Sequence, residues 1–195
     1  MYRRRNFVKD GIVFAAASSL ALEARADSFG YAGVVDLAAV RGRFRVDHHH
    51  DWTRNPLRCW TVFCVDQDVF AAENTYSWLV LTDQEGSRQL FRAPVPALTH
   101  LWISPDGRFI VGLSNIKLRN PAQVVVFNVR GDRLLARAVD YSTFRGVEES
   151  VTNWVRWYKE PTPQISIETT SDGLLLSVQS NDSEPPRTFT FTDRA

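Results

Sequence analysis

Short runs of β-forming residues, separated about every 8–12 residues by turn signals, recur along this chain from Val34 onward. Tyr76–Thr82 is followed by the turn residues Asp83–Gly86, and Ser104–Gly107 (Ser-Pro-Asp-Gly) leads into Phe109–Leu113. In the second turn the proline fixes its own φ and the glycine can supply a positive φ, so the turn favours a hairpin. Such spacing is typical of sandwiches, barrels and propellers. The pattern predicts an all-β fold of antiparallel sheets.

Further strands are predicted along the rest of the chain. They are Arg43–Val46, Trp60–Asp66, Arg88–Ala93, Leu98–Ser104, Val124–Val129, Leu134–Val139, Ile165–Thr169, Leu174–Val178 and a last strand with Phe189 and Phe191. Gly146–Ser150 is predicted as a short helix or turn, because apolar residues recur at helical spacing from Val147 to Tyr158. A strand is predicted after it, because Trp154–Tyr158 also alternates.

The chain also contains weak internal repeats. Ser77–Ala93 resembles Val124–Ala138 at an offset near 46 residues, and Ile103–Gly112 resembles Glu168–Ser177. Trp102–Val111 resembles the blade motif of TolB-type and WD-repeat β-propellers, in which a Ser-Pro-Asp-Gly turn joins two strands. The resemblance implies units of about four strands. A complete propeller needs 4–8 blades of about 40–45 residues, so we expect an incomplete propeller or a rearranged β-sandwich, with edge strands to protect or closure by oligomerisation.

The first 26 residues have the composition of an export signal. The apolar run Gly11–Leu22 is too short for a bilayer-spanning helix, which needs about 20 residues. Ala24 and Ala26 form a small-x-small cleavage pattern. We therefore expect cleavage after Ala26, a domain at 27–195, no stable membrane anchor and a soluble product.

The residues before this run resemble the twin-arginine (Tat) signal family. Arg4, Arg5, Phe7 and Lys9 match its fixed positions, and Val8 stands where leucine is usual. The resemblance implies a bacterial protein that folds in the cytoplasm, uses the Tat translocase as its export partner, and works in the periplasm or outside the cell. An ordinary Sec signal is the alternative.

Charge argues against nucleic-acid binding. Residues 1–26 hold five of the 23 basic and two of the 22 acidic residues, which leaves 18 basic and 20 acidic residues in the domain. A nucleic-acid-binding domain normally carries a basic surplus.

The two cysteines, Cys59 and Cys64, are separated by four β-forming residues. In an extended strand their Cα atoms would lie about 16 Å apart, beyond the roughly 7 Å that a disulfide allows. We expect buried free thiols.

The stretch Asp47–Trp52 contains three histidines in a row and is the best candidate for chemistry. Imidazoles and carboxylates are good ligands for transition metals, and in an extended segment His48 and His50 share a face. A metal site of His48, His50 and Asp51, closed by the distant His100, is one interpretation. A polar loop before Asn55–Pro56 is the other.

Six tryptophans occur, and most are predicted to be core residues, especially Trp78 and Trp102, beside aliphatic neighbours. No Gly-x-Ser-x-Gly, His-Glu-x-x-His or phosphate-binding loop is present. We therefore expect a non-enzymatic binding or scaffolding module with a protein partner. The alternative is a metal-binding or metal-dependent protein that uses His48 and His50, and a hydrolase ranks third.

Overall fold

The computed structural model describes residues 33–54, 68–116, 120–139, 148–149, 155–158, 163–180 and 185–192. Every regular element in these ranges is a β-strand, and every strand pair is antiparallel. The all-β prediction is confirmed. Across the same ranges, no helix has the length and apolar character needed to cross a bilayer. The predicted export signal, the strand Trp60–Asp66 and both cysteines lie outside the described residues.

Two four-stranded sheets follow the chain in up-and-down order. Sheet 1 contains β1 (Val34–Arg41), β2 (Phe44–Asp51), β3 (Ser77–Asp83) and β4 (Arg88–Pro94). Sheet 2 contains β5 (His100–Ile103), β6 (Phe109–Leu113), β7 (Val124–Asn128) and β8 (Arg133–Arg137). The predicted four-stranded unit is therefore present twice.

The rest of the described chain forms two smaller sheets. A short pair contains β9 (Glu148–Glu149) and β10 (Val155–Arg156), and sheet 3 contains β11 (Ile165–Thr169), β12 (Gly173–Val178) and β13 (Arg187–Thr192). The prediction of a helix or turn across Gly146–Ser150 is wrong at Glu148–Glu149, because these residues pair with β10. The strand predicted after it is confirmed at β10.

The repeat predicted between the two larger sheets extends to their irregularities. Sheet 1 has a bulge between Leu81 and Thr82, and sheet 2 has one between Val126 and Phe127. After each bulge, a side-chain oxygen accepts a hydrogen bond from the backbone N–H two residues on, at Asp83 (3.2 Å) and at Asn128 (3.0 Å). The third and fourth strands of both sheets are thus built on the same local plan.

Sheet 2 is the middle layer of a stack. The five residues of β6 are all buried, and so are the five of β7. Phe109 and Val111 pack in one apolar cluster with residues of sheet 3, whereas Ile110 and Val125 pack in another with residues of sheet 1. Fully burying such a side chain stabilises a fold by roughly 1.5–3 kcal/mol. Both faces of sheet 2 therefore contribute to stability, which explains the apolar run Val124–Phe127 in β7.

The arrangement of the sheets is propeller-like, and each sheet is open in the described part of the chain. The first strands of sheets 1 and 2, β1 and β5, lie beside each other, as the inner strands of neighbouring propeller blades do. This agrees with the expected fold, an incomplete propeller or a rearranged β-sandwich.

The Ser-Pro-Asp-Gly turn connects sheet 2 to both neighbours. Gly107 has φ +75°, and a Cβ there would lie 3.4 Å from the ring of Phe44 in sheet 1. Arg108 donates to the backbone oxygens of Thr170 and Ser171, in the equivalent turn of sheet 3. Burial opposes ionisation of Asp106, but hydrogen bonds from Ser104 and Arg108 outweigh it and lower the pKa of this carboxyl to about 2.

Close packing between the sheets makes Gly112, in the middle of β6, sensitive to substitution. A Cβ there would lie 2.6 Å from Leu98 Cδ1 and 2.9 Å from Val125 Cγ2. We expect Gly112→Ala to lower the free energy of unfolding by about 1–3 kcal/mol, measured in urea. Gly86→Ala is the matched control, because its Cβ would meet only Arg88 Cβ, at 3.9 Å. Equal stability of the two variants would contradict this packing.

Candidate functional site: the histidine strand and the outward face of sheet 1

The three consecutive histidines lie on β2, between β1 and β3. The interpretation of this stretch as a polar loop is therefore wrong. Val46, His48 and His50 are buried in alternation, as a half-buried strand requires, whereas His49 points to the opposite face. The prediction that His48 and His50 share a face of an extended segment is confirmed.

His48 is a fully hydrogen-bonded core residue with 1 % of its surface exposed. Its Nδ1 lies 3.1 Å from the carbonyl oxygen of Trp78, and its Nε2 lies 3.1 Å from the backbone nitrogen of Leu98. Since the Leu98 N–H donates, Nε2 must be the unprotonated nitrogen, and Nδ1–H donates to Trp78. Burial lowers the pKa of His48 to about 3. The side chain links sheet 1 to the segment that leads into sheet 2.

His50 is also buried, with 3 % of its surface exposed, but neither ring nitrogen has a hydrogen-bond partner. Its ring centroid lies 4.0 Å from that of Trp52 and 5.6 Å from that of Tyr76. Burial lowers the pKa of His50 to about 4. A buried polar group without a partner costs about 1–3 kcal/mol, so the unpaired nitrogens of His50 offset part of the stability that its ring packing contributes.

Asp51 is the last residue of β2, and its carboxylate is hydrogen-bonded within the same chain. Its Oδ1 accepts hydrogen bonds from the hydroxyl of Thr53 at 2.6 Å and from the Thr53 backbone N–H at 2.9 Å. These bonds lower the pKa of the carboxyl. The carboxylate is therefore engaged in a turn, as is common where strands end.

His100, the fourth predicted ligand, lies on the first strand of sheet 2. Its Nδ1 lies 3.2 Å from the hydroxyl of Tyr158 and 3.2 Å from that of Thr99, and its ring stacks on Trp102. The two hydroxyls are themselves 2.7 Å apart.

Within the described ranges, no group of three or more His, Cys, Asp or Glu side chains is placed to hold a metal. The structure brings His48 and His50 together, with ring centroids 6.5 Å apart.

The opposite face of sheet 1 carries a row of planar groups that spans all four strands. We call Asp36, His49, Trp78 and Arg92 the outward row. His49 Nδ1 lies 2.8 Å from Asp36 Oδ1, and the His49 ring stacks on Trp78 with centroids 5.0 Å apart and planes inclined by 17°. From the other flank, the guanidinium carbon of Arg92 lies 4.9 Å from the centre of the Trp78 ring.

The outward row was not predicted from the sequence. Trp78 was expected in the core, but it is half-buried on the outward face. Exposed polar side-chain pairs and cation–π contacts are worth only about 1 kcal/mol or less each. The row therefore adds little to stability but fixes the orientation of three planar groups.

The two ends of the stack present different surfaces. The outward face of sheet 3 exposes short polar side chains and a carboxylate, at Ser166, Glu168, Thr188 and Thr190. The outward face of sheet 1 combines the outward row with half-buried Val80. Among the described residues of these two faces, only those of sheet 1 offer the aromatic and guanidinium groups that are enriched where proteins bind each other.

No protein-family model matches the chain, and no curated protein matches it. Among solved structures, it is similar to a crystal structure of a eukaryotic initiation factor, with 12% identity, a TM-score of 0.35, and coverage of 83% of this chain and 42% of that one. The chain thus spans less than half of the length of that protein. Likeness at this level carries no argument about function.

Proposed function

We propose that this chain is an exported, non-enzymatic module that binds or scaffolds another protein in the periplasm. The outward row is the observation that carries the proposal. It presents a tryptophan, an arginine and a histidine in fixed orientations on a sheet face. Held in place before contact, such groups lose little side-chain entropy on binding.

The stack of sheets supplies the rigid base that a binding face needs. Trp78 and Val80 lie on β3, whose other face packs through Leu79 and Leu81, both fully buried, against sheet 2. A face fixed in this way changes little when a partner binds, which is the usual behaviour of preorganised interfaces. A face at the end of a stack is also accessible to a large partner.

Site-specific photo-cross-linking in living cells tests this proposal. A photoreactive residue at Val80 should yield a discrete covalent product that contains a second, different protein. The same residue at Thr188, exposed on the outward face of sheet 3, should yield none. Equal labelling at both positions, or none at Val80, would reject the outward face of sheet 1 as the binding face.

Periplasmic location is part of the proposal and rests on the N-terminal sequence. We expect Arg4→Lys/Arg5→Lys to leave uncleaved precursor in the cytoplasm, because the Tat translocase recognises the arginine pair. Arg3→Lys is the control, since Arg3 stands outside the fixed positions. Fractionation and immunoblotting measure the outcome, and normal processing of the double variant would rule out the Tat route.

Metal binding through His50 is the second candidate function. It is favoured by one observation, the two buried ring nitrogens of His50 that lack a hydrogen-bond partner. His48 would be the neighbouring ligand, but its two nitrogens are already bound to Trp78 and Leu98. Metal analysis of untagged protein separates the candidates. Stoichiometric metal that is lost in His48→Ala/His50→Ala would support this function, and metal-free protein would reject it.

A further inference from the structure

We propose that β1 is a dimerisation edge, along which a second copy of this chain adds its own β1 in antiparallel orientation. The inference is independent of the binding face proposed above. It rests on the free edge of β1, the symmetry of its exposed side chains and its lack of protection against pairing.

One edge of β1 has unused backbone hydrogen-bonding groups. The Trp52 N–H donates to the Gly33 carbonyl at 2.9 Å, so the odd-numbered residues of this strand direct their N–H and C=O groups toward β2, since direction alternates along a strand. The groups of the even-numbered residues, from Val34 to Val40, therefore point to the other edge. Among the described residues, no strand pairs there.

The exposed side chains of β1 are self-complementary. Val34 and Val40 are 53% and 56% exposed, and they are the large apolar side chains exposed in the described ranges. They lie three residues to either side of Leu37. A two-fold axis perpendicular to the sheet, midway between the Leu37 residues of the two copies, places each Val34 opposite Val40 of the second copy.

The same register also pairs the free backbone N–H and C=O groups of β1. With the two Leu37 residues facing each other across the axis, Val34 faces Val40 and Asp36 faces Ala38 of the second copy. These even-numbered residues carry the free N–H and C=O groups, so each facing pair exchanges two hydrogen bonds. No charged residue lies directly opposite a like charge. The two copies of sheet 1 would then form one continuous sheet.

The edge also lacks the features that usually prevent such pairing. Proteins protect edge strands with lysine, proline, bulges or short length. This strand has eight residues without lysine or proline, and its pairing with β2 shows no bulge. Its two charged side chains are Asp36, which is held by His49 on the outward face, and Arg41, which ends the strand at the turn to β2. A second copy is therefore the occupant that fits best.

Sedimentation velocity of the purified full chain, from low to high micromolar concentration, tests the proposal. We expect a monomer–dimer equilibrium. Val34→Lys/Val40→Lys places lysine opposite lysine and should weaken association by at least about tenfold. Circular dichroism should show an unchanged fold, because both side chains are mostly exposed. The matched control is Thr188→Lys/Thr190→Lys on the edge strand β13, which should dimerise normally. A monomer at every concentration, or a dimer unaffected by the β1 lysines, would overturn the proposal.

Disulfide cross-linking tests the register in a Cys59→Ser/Cys64→Ser background. Leu37→Cys places two cysteines opposite each other across the axis, with Cα atoms about 4.5 Å apart, within bonding range. Ala38→Cys places them diagonally, about 7–8 Å apart. Mild oxidation should give a covalent dimer for the first variant only. A covalent dimer of the Ala38→Cys variant, with none of the Leu37→Cys variant, would reject this register.

Discussion

Lowering the pH from 6.5 to 4.5 is expected to reduce the free energy of unfolding by about 5 kcal/mol, through His48 and His50 alone. Both side chains are buried, and burial lowers their pKa values to about 3 and about 4. In the unfolded chain, a histidine titrates near its ordinary pKa of about 6.5. Between these values the unfolded chain binds protons that the folded chain does not. This contribution to stability is complete about one pH unit above 6.5, and below 6.5 it falls by up to about 1.4 kcal/mol per histidine for each pH unit.

The geometry of His48 explains why the fold excludes the proton. Protonation of Nε2 would direct an N–H against the N–H of Leu98, where a hydrogen bond now joins sheet 1 to the segment before sheet 2. His50 has no acceptor for an added proton. Because the total stability of a domain is typically 5–15 kcal/mol, a loss of about 5 kcal/mol would bring it close to unfolding.

Urea unfolding of two variants across this pH range checks the prediction. His50→Phe removes one buried imidazole, so the dependence of stability on pH should fall to about half. At pH 7 the variant should be more stable by about 1 kcal/mol, because two unpaired nitrogens are lost. His49→Gln is the control, since it leaves both imidazoles buried, and because burial is the main cause of both pKa shifts it should keep most of the dependence. An unchanged slope in His50→Phe would contradict the assignment.

Trp157→Ala is expected to lower the free energy of unfolding by about 3–5 kcal/mol. The indole is 1 % exposed, and it packs edge-on against Phe189 of sheet 3, with centroids 6.2 Å apart. Its Nε1–H donates to the carbonyl oxygen of Ser114, at 2.7 Å. The substitution leaves a cavity in the cluster between sheets 2 and 3 and a buried carbonyl without its donor.

Trp78→Ala is the matched control, because the same side chain is removed from the half-buried outward face. We expect it to lower the free energy of unfolding clearly less than Trp157→Ala does, since no closed cavity forms there. Chemical denaturation of both variants measures the two losses in free energy of unfolding. If the two losses were equal, Trp157 would not lie in the core between the sheets.

Local patterns predicted much of the fold. The Ser-Pro-Asp-Gly hairpin and the resemblance of Ser77–Ala93 to Val124–Ala138 both have counterparts in the structure, because a hairpin is encoded by its own turn and adjacent strands. The alternation in Ile165–Thr169 also predicted β11 correctly. These elements depend on residues close together in the chain.

The candidate site depends on residues that are far apart. The composition of Asp47–Asp51 is that of a loop, yet β2 is extended because it pairs with β1 and β3 on its two sides. Asp36 and His49 are 13 residues apart, and their contact follows from the register of β1 with β2. Trp78 was placed in the core from its aliphatic neighbours, but in an alternating strand the adjacent Leu79 faces the opposite side. A sequence pattern without a register cannot assign such contacts.

The position of sheet 2 as the middle layer of an open stack underlies the outward face and the free edge of β1 alike. Residue-level hydrogen exchange of the full chain tests it most directly. Amides of β6 and β7 should exchange most slowly, through global unfolding, because both faces of their sheet are covered. Amides of the hydrogen-bonded central strand of sheet 3, β12, should exchange through smaller openings. If β6 and β7 exchanged as fast as β12 or faster, sheet 2 would not be the middle of the stack.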